Sequence, residues 1–415
     1  MPSEIIIVGG GPAGTTTALA LAKAAPELAR RTVLLEQARY PRDKPCAGAL
    51  GARGDALLRA LGADVDVPSV PIGGMSFRSV DGAVVAAPGA IGRVVRRTEL
   101  DQALAREAAA RGVAVRDGVG VRSVHDRGAE GVVVETDQGT LRARVVVGCD
   151  GVGSVVRKAL GLGAGRFRAQ AIEVDTEPVP QDGNRALLHF DAGDRELTGY
   201  AWDFATLVDG RPLVCRGVYR LRLDGERADA DRDVSAVLAK RLRTLGIDPA
   251  DCKKKRYAER GYDPAARIAA GALMLAGEAA GIDPFTGEGI AQAIEYGVLA
   301  GNFLAKRFDG RGRRGTSAHP EGGRASVDVS DWVREVRTSR LGLDLRVRAR
   351  FLQLYYGTGP RARAGVERVF TDSPDAMRIG CEHFGGQAHD WRSVGKVLVR
   401  GASMLALSLF GRECG

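Results

Sequence analysis

The chain opens on four adjacent apolar residues, Ile5-Ile6-Ile7-Val8, which run at once into glycines and then an alanine-rich stretch. A short apolar run bounded by a turn signal reads as a strand buried on both faces. Thr32-Val33-Leu34-Leu35 has the same form and ends on Glu36, so the first fifty residues read as a β-α-β unit. Residues 51–75 read as a helix followed by a Pro/Gly-rich loop, and 75–85 as a hairpin around Asp81-Gly82. Leu100, Leu104 and Ala108 recur at helical spacing and predict a helix over 98–112 with Thr98 as its N-cap. Short segments at 113–115, 119–121, 131–136 and 141–147, parted by turns such as Asp137-Gln138-Gly139, then predict a β-meander. Alternation continues through 185–190, 200–204 and 213–219, which predicts a second sheet within 165–262. Apolar residues 268–276 return to a strand, so the first unit is discontinuous and the second is inserted into it. Residues 309–328 are rich in Gly, Arg and Ser and predict an exposed linker, and 329–415 are mainly helical by spacing.

The junction of the first strand and helix carries the clearest chemistry. Gly9-Gly10-Gly11-Pro12-Ala13-Gly14 is a G-x-G-x-x-G segment between strand and helix. Gly9 permits a tight turn, Gly11 lets phosphates approach the main chain, and Gly14 lets helix and strand pack closely. Glu36 follows at the end of the second strand, where a carboxylate binds ribose hydroxyls. Strand, spacing and acid together predict a dinucleotide site.

Composition narrows the class without deciding it. A hydrophobic share of 45% and a charged share of 27% are those of an ordinary globular protein. No apolar run reaches bilayer length and the N-terminus lacks the pattern of a signal peptide, so the expectation is a cytoplasmic protein. The six cysteines form no C-x-x-C pair and read as reduced thiols. The net charge of +9 suits anionic ligands or an anionic membrane surface. Basic residues are scattered without interleaved aromatics, which argues against nucleic acid, and Lys253-Lys254-Lys255-Arg256 reads as a solvated face. Apolar residues 396–410, basic at their start, predict packing on the main body, with peripheral membrane contact as the second reading.

Two later segments extend the dinucleotide reading to a flavin. Asp150-Gly151-Val152-Gly153-Ser154-Val155-Val156-Arg157 ends an apolar strand as D-G-x-x-S-x-x-R. Gly277-Glu278-Ala279-Ala280-Gly281-Ile282-Asp283-Pro284-Phe285-Thr286-Gly287-Glu288-Gly289-Ile290 is a strand-to-helix turn with small residues where a planar ligand would lie. A helix starting near Gly289 would aim N–H groups at electron-rich ring carbonyls. The three segments in this order resemble the p-hydroxybenzoate-hydroxylase-like FAD superfamily. Lys44-Pro45-Cys46-Ala47-Gly48 and Gly199-Tyr200-Ala201-Trp202-Asp203-Phe204 further resemble the K-P-C-x-G and Y-x-W-x-F-P motifs of the geranylgeranyl reductase family. The chain departs from that pattern at Ala47, often Gly, at Ala205, where Pro is usual, and at Glu278, where Asp is usual.

The resemblance implies an α/β fold: a discontinuous Rossmann-like FAD-binding domain, an inserted mixed β-sheet substrate domain and a helical C-terminal region. The boundaries are 1–74, 96–164 and 265–308 for the first, 75–95 and 165–264 for the second, 309–328 for a linker and 329–415 for the last. It also implies the site. Gly9, Gly11, Ala13, Gly14 and Glu36 would hold the ADP half, with Arg97 and the backbone near Val121. Cys46, Ala47 and Gly48 would lie by the isoalloxazine. Asp150, Gly151, Glu278, Gly281, Pro284, Gly287, Gly289 and Ile290 would hold the ribityl chain and ring. Cys46 is either a small buried hydrophobe or a proton donor beside the ring. Tyr200 and Trp202, two apart on a strand, are either core aromatics or the wall of an apolar substrate cavity.

The implied activity is saturation of carbon-carbon double bonds in an isoprenoid or similar apolar substrate, with the hydride supplied by FAD. No second fingerprint for NAD(P)H is present, and Gly161-x-Gly163-x-Gly165 reads as a loop, so NAD(P)H or another electron donor would dock transiently. A monooxygenase is the alternative, against which stands Gly281 where hydroxylases often carry His. A halogenase is set aside because no Lys lies between Lys44 and Lys158. A non-catalytic lipid-binding flavoprotein is the reading from outside enzymology. Oligomeric state has no signal in the sequence.

Overall fold

A computed structural model describes residues 3–63, 65–222, 233–309, 325–357 and 360–387. Ile5–Val8 forms the centre of a six-stranded sheet and is almost fully buried. It pairs in parallel with Thr32–Glu36 on one side and Val145–Gly148 on the other. Ala114–Asp117 extends the sheet beyond Thr32–Glu36, and Leu273–Leu275 extends it beyond Val145–Gly148. A sheet of parallel strands is covered on both faces, which is why these strands are apolar runs and do not alternate. The predicted strand over 268–276 is in fact a small hairpin, Ala269–Ala270 against Leu273–Leu275, turning at Gly271.

Helix Pro12–Ala24 leaves the first strand and packs on helix Ile290–Phe308. The approach is close because both helices present small residues: a Cβ at Gly301 would lie 2.6 Å from that of Ala20. The helix predicted from Thr98 runs as Arg97–Ala110, with Arg96 at the N-cap and no capping side chain. Thr98 therefore lies one residue inside the helix, and Arg96 at the N-cap is held from outside the helix by Asp175. Of the predicted meander, Val121–Asp126, Val132–Thr136 and Gly139–Ala143 form a three-stranded sheet, while its first segment and the end of its last, Ala114–Asp117 and Val145–Gly148, join the six-stranded sheet as parallel strands.

The second sheet has seven strands in the spatial order Lys255–Arg260, Arg168–Thr176, Arg211–Arg222, Gly199–Val208, Leu187–Asp191, Gly74–Ser79 and Gly82–Ala86. All neighbours are antiparallel except Leu187–Asp191 with Gly74–Ser79, so the early hairpin joins a sheet formed mostly by later residues. Its two faces differ. Ile172, Val174, Ala201 and Val218 pack with Leu238 and Leu242 of helix Val234–Thr244. The other face carries Trp202, Phe204, Cys215, Tyr219 and, half-buried, Phe190, Tyr200 and Tyr257. A third small sheet, Ala49–Gly51, Gly92–Val95 and Ser69–Ile72, lies against that aromatic side, and its last strand falls in the stretch read as loop.

Beyond residue 324 the chain first zips onto the six-stranded sheet. Val327 and Val329 donate backbone hydrogen bonds to Arg144 and Gly271, and the buried Trp332 indole donates to Leu275 at 2.8 Å. Helices Trp332–Thr338, Arg340–Gly357, Pro360–Thr371 and Pro374–Gly385 follow. Most of the linker and the apolar stretch 396–410 lie outside the described residues. Among the described residues, no helix is long and apolar enough to cross a membrane.

Candidate active site

The glycine loop is built as its spacing requires. Gly9 has φ +103° and stands against the Cys149 carbonyl, while Gly14 stands against the carbonyl of Gly9. Any side chain at either position would fall on backbone, so only glycine closes this turn. Gly9 and Gly11 stay half-exposed between buried neighbours, which leaves their backbone open to a ligand. Helix Pro12–Ala24 has no capping side chain and no acidic residue in its first turn. Its N-terminal N–H groups and positive end are thus available to an anion.

Glu36 anchors this loop from the side. Its carboxylate accepts from Gly10 N at 2.9 Å, Ala38 N at 3.1 Å and Arg42 Nη2 at 3.1 Å. Arg42 also pairs with the buried Asp101 at 3.0 Å, and Arg97 makes two 2.7 Å bonds to the same carboxylate. Burial works against the Arg97 charge, but Asp101 outweighs it and keeps the guanidinium charged beside Gly11. Arg97 is thus brought to the loop as expected. The backbone near Val121 also comes to the end of the second strand: Gly118 and Val119 donate to the carbonyls of Ala38 and Glu36, while Val121 itself opens the meander opposite Thr136.

The three motifs meet at one place. Ala13 abuts Gly277, whose added Cβ would lie 2.6 Å away, and Gly151 faces Glu278. Asp150 spends its Oδ2 on Val155 N at 2.7 Å, and its Oδ1 is buried with no hydrogen-bond partner. Glu278 ion-pairs through Oε2 with Lys44 at 3.0 Å, and its Oε1 is likewise buried and unpartnered. Lys44 leads into the half-buried Cys46 and Ala47 and the buried Gly48, which has φ +83°. The Cys46 N–H donates to Glu173 Oε1 at 3.0 Å, and burial pushes its thiol up, against the pull of Arg97. Gly281 and Pro284 are buried against residues Gly261 and Tyr262, and Gly289 caps helix Ile290–Phe308, whose Ile290 is buried.

The aromatic sheet face closes over these turns. Tyr200 and Trp202 share a side, with ring centroids 6.3 Å apart, as period two predicts. Trp202 is 2% exposed with its ring across Gly217, a core position. Tyr200 is half-buried, stacks on Tyr219 at 5.1 Å and donates to the Thr286 carbonyl. Residues that alternation alone does not mark lie on the same face. Glu173 is 1% exposed and burial lifts its carboxyl to about 7; Glu259 is lifted to about 8 for the same reason. Lys255, read as part of a solvated run, points to this face and pairs with Asp43 and Asp175.

The orphaned buried oxygens of Asp150 and Glu278, the open glycine loop and the two guanidiniums fit a pyrophosphate joined to a polyhydroxyl chain and a planar ring. A family described as an FAD binding domain matches residues 3–319. The chain belongs to this FAD-binding family. Menaquinone reductase of Mycolicibacterium smegmatis is 28% identical over 343 residues, covering 73% of this chain and 76% of that protein. Digeranylgeranylglycerophospholipid reductase 2 of Methanothermobacter thermautotrophicus is 26% identical over 328 residues, covering 75% and 81%. A flavoprotein/dehydrogenase from Cytophaga hutchinsonii shares the fold, with a TM-score of 0.69 at 18% identity over 100% of both chains.

As a member of this family the protein is an FAD-dependent oxidoreductase. The C-terminal helices complete its flavin turn, which spacing alone does not reveal. Arg348 reaches Asp283, Glu288 at 3.0 Å and Asp344 at 3.1 Å. Asp283, fully buried, accepts from the N–H groups of Phe285 and Thr286 and so shapes the turn before Gly287. Phe285 packs edge-on against Phe351 and Tyr355 of the same helix as Arg348. The i, i+4 pair Asp344–Arg348 was visible in sequence, but its use by a turn 60 residues away was not.

Proposed function

We propose that this protein is an FAD-dependent reductase that saturates carbon-carbon double bonds of an uncharged isoprenoid lipid. The observation that carries the reading is the aromatic face of Phe190, Tyr200, Trp202, Tyr219 and Tyr257, set opposite the Cys46–Ala47–Gly48 loop. Such a face orients a polyene chain by apolar contact and excludes water from a hydride transfer. FAD, held by the glycine loop and the turn before Gly287, would supply hydride chemistry, and a protonated side chain on this face would give an alkene carbon its proton. Tyr200 would face the substrate, Trp202 would back it from the core, and Cys46 packs where the redox ring would sit. Glu278 and Asp150 would take the ribityl hydroxyls, and Arg97 and the glycine loop the pyrophosphate.

The charge pattern refines the substrate. Lys44, Arg96, Arg97 and Lys255, cations around the Cys46 loop and the facing sheet, are each paired with an acid: Glu278, Asp175, Asp101 and the Asp43–Asp175 pair. The buried Glu173 carboxyl and Glu259, half-buried with its Oε2 sealed, lie on the facing sheet. An anionic head would meet no spare positive charge there, so the end that enters is uncharged. The resemblance to a menaquinone reductase supports an uncharged isoprenoid, and that to a digeranylgeranylglycerophospholipid reductase supports the isoprenoid chain alone, since its lipid has an anionic head. The test is a panel of prenyl quinones, prenyl glycerolipids and prenyl diphosphates, incubated anaerobically with the reduced enzyme and analysed by mass. A gain of two hydrogens per bond in the uncharged members supports the reading. A gain only in the diphosphates would overturn the charge argument, and an added oxygen under air would favour the monooxygenase.

A further inference from the structure

Two carboxyls on the sheet face remain to be explained, and their environments differ. Glu173 is spent: one oxygen accepts from Cys46 N and the other from the Cys215 thiol. Glu259 is not. Its strand, Lys255–Arg260, alternates so that Lys255, Tyr257 and Glu259 look toward the Cys46 side, in register with Glu173, Ala171 and Ala169. The Glu259 Oε2 is sealed from solvent and lies 2.9 Å from where a Cβ at Gly287 would stand, with the Tyr219 hydroxyl as the uncharged polar group beside the carboxyl. It therefore points at the turn that precedes helix Ile290–Phe308.

The groups facing it leave it without a counter-ion. Glu278 and Asp283 face it from the flavin turn, Lys44 from the Cys46 loop, and Tyr219 from the neighbouring sheet; Tyr200 and Tyr257 feel its charge as well. Lys44 is tied to Glu278, and Asp283 is tied to Arg348. A carboxyl in such a place is held in its neutral, proton-donating form. A sealed carboxyl oxygen with no cation to pair it, set beside a reactive turn, is also costly unless it is used.

We infer that Glu259 is the proton donor of the double-bond reduction, an assignment that rests on the reductase reading. The Oε2–H bond breaks as its proton forms a C–H bond at one alkene carbon, while the hydride from reduced FAD forms the C–H bond at the other. The π bond is lost, the flavin gives up two electrons, and Glu259 is left as a carboxylate. The Tyr219 hydroxyl beside it returns the proton and is resupplied from water, and an external two-electron donor reduces the flavin again. Cys46, whose backbone is held by Glu173, then serves to pack the loop.

The test compares wild type, E259Q, E259D and C46A, each as FAD-loaded enzyme reduced with dithionite, turning over a prenyl quinone once in detergent micelles. Wild type should lose rate about tenfold per pH unit above about 8, the pH at which burial lets this carboxyl ionise. E259Q should be slower by about 100-fold or more and flat across that range, and E259D should restore part of the rate with the pH fall. Infrared difference spectra of the oxidised enzymes should show a protonated-carboxyl band near neutrality that E259Q lacks. An active wild type with E259Q unimpaired, or with C46A alone inactive, overturns the assignment while leaving the reductase intact; so does the absence of the infrared band. A wild type that reduces no isoprenoid overturns both.

Discussion

At the scale of single residues, buried charges do most of the positioning, and each makes a measurable demand. Arg97 is held by Asp101 beside Gly11, in place to meet a phosphate. Arg97→Met should weaken FAD binding by about 10- to 100-fold, the worth of one charge-assisted hydrogen bond, because Arg42 still pairs Asp101 and preserves the fold. Equilibrium dialysis with FAD measures it. Glu173 makes a different demand. Burial raises its carboxyl from 4.5 to about 7, so between those values the folded chain holds a proton that the unfolded chain has lost. Stability from this group is present at low pH and falls as pH rises to about 7. Glu173→Gln should flatten that part of the pH profile of the melting temperature, and an unchanged slope would exclude Glu173 as its source.

At the scale of elements, the parts that read correctly from sequence are those whose neighbours are close in the chain. Ile5–Val8, the glycine turn and Thr32–Glu36 are fixed by local apolar runs and by backbone needs that only glycine meets. The strand Ser69–Ile72 was read as loop because its partner Gly92–Val95 lies more than twenty residues on and Pro71 interrupts its pattern. Glu173 and Glu259 carry no signal in the sequence, because only the packing of their sheet against the Cys46 loop and the turn before Gly287 gives them a role. The helix Arg340–Gly357 was legible, but its grip on Asp283 and Glu288 was not. Arg348→Ala should cost about 3–5 kcal/mol in urea unfolding, since it strands buried carboxylates. Gly297→Ala, which forces a side chain onto Thr16 of helix Pro12–Ala24, should cost about 1–3 kcal/mol by overpacking.

At the scale of the whole molecule, one sheet presents the glycine loop of an FAD-binding family and the other an aromatic face, which the proposed function assigns to the substrate, with the turn before Gly287 and the Cys46 loop between them. The described helices beyond residue 331 brace that turn and pack on the aromatic cluster through Leu352, Tyr356, Cys381 and Phe384. Shared fold alone does not fix the chemistry, since the same architecture carries different reactions. What separates them is the fate of the flavin electrons. The most direct measurement mixes anaerobic, FAD-reduced enzyme with a prenyl quinone or prenyl glycerolipid and follows flavin absorbance together with product mass. The account predicts that the flavin reoxidises without oxygen, one equivalent for each double bond saturated. Flavin that stays reduced until air is admitted, with oxygen then appearing in the product, would contradict it.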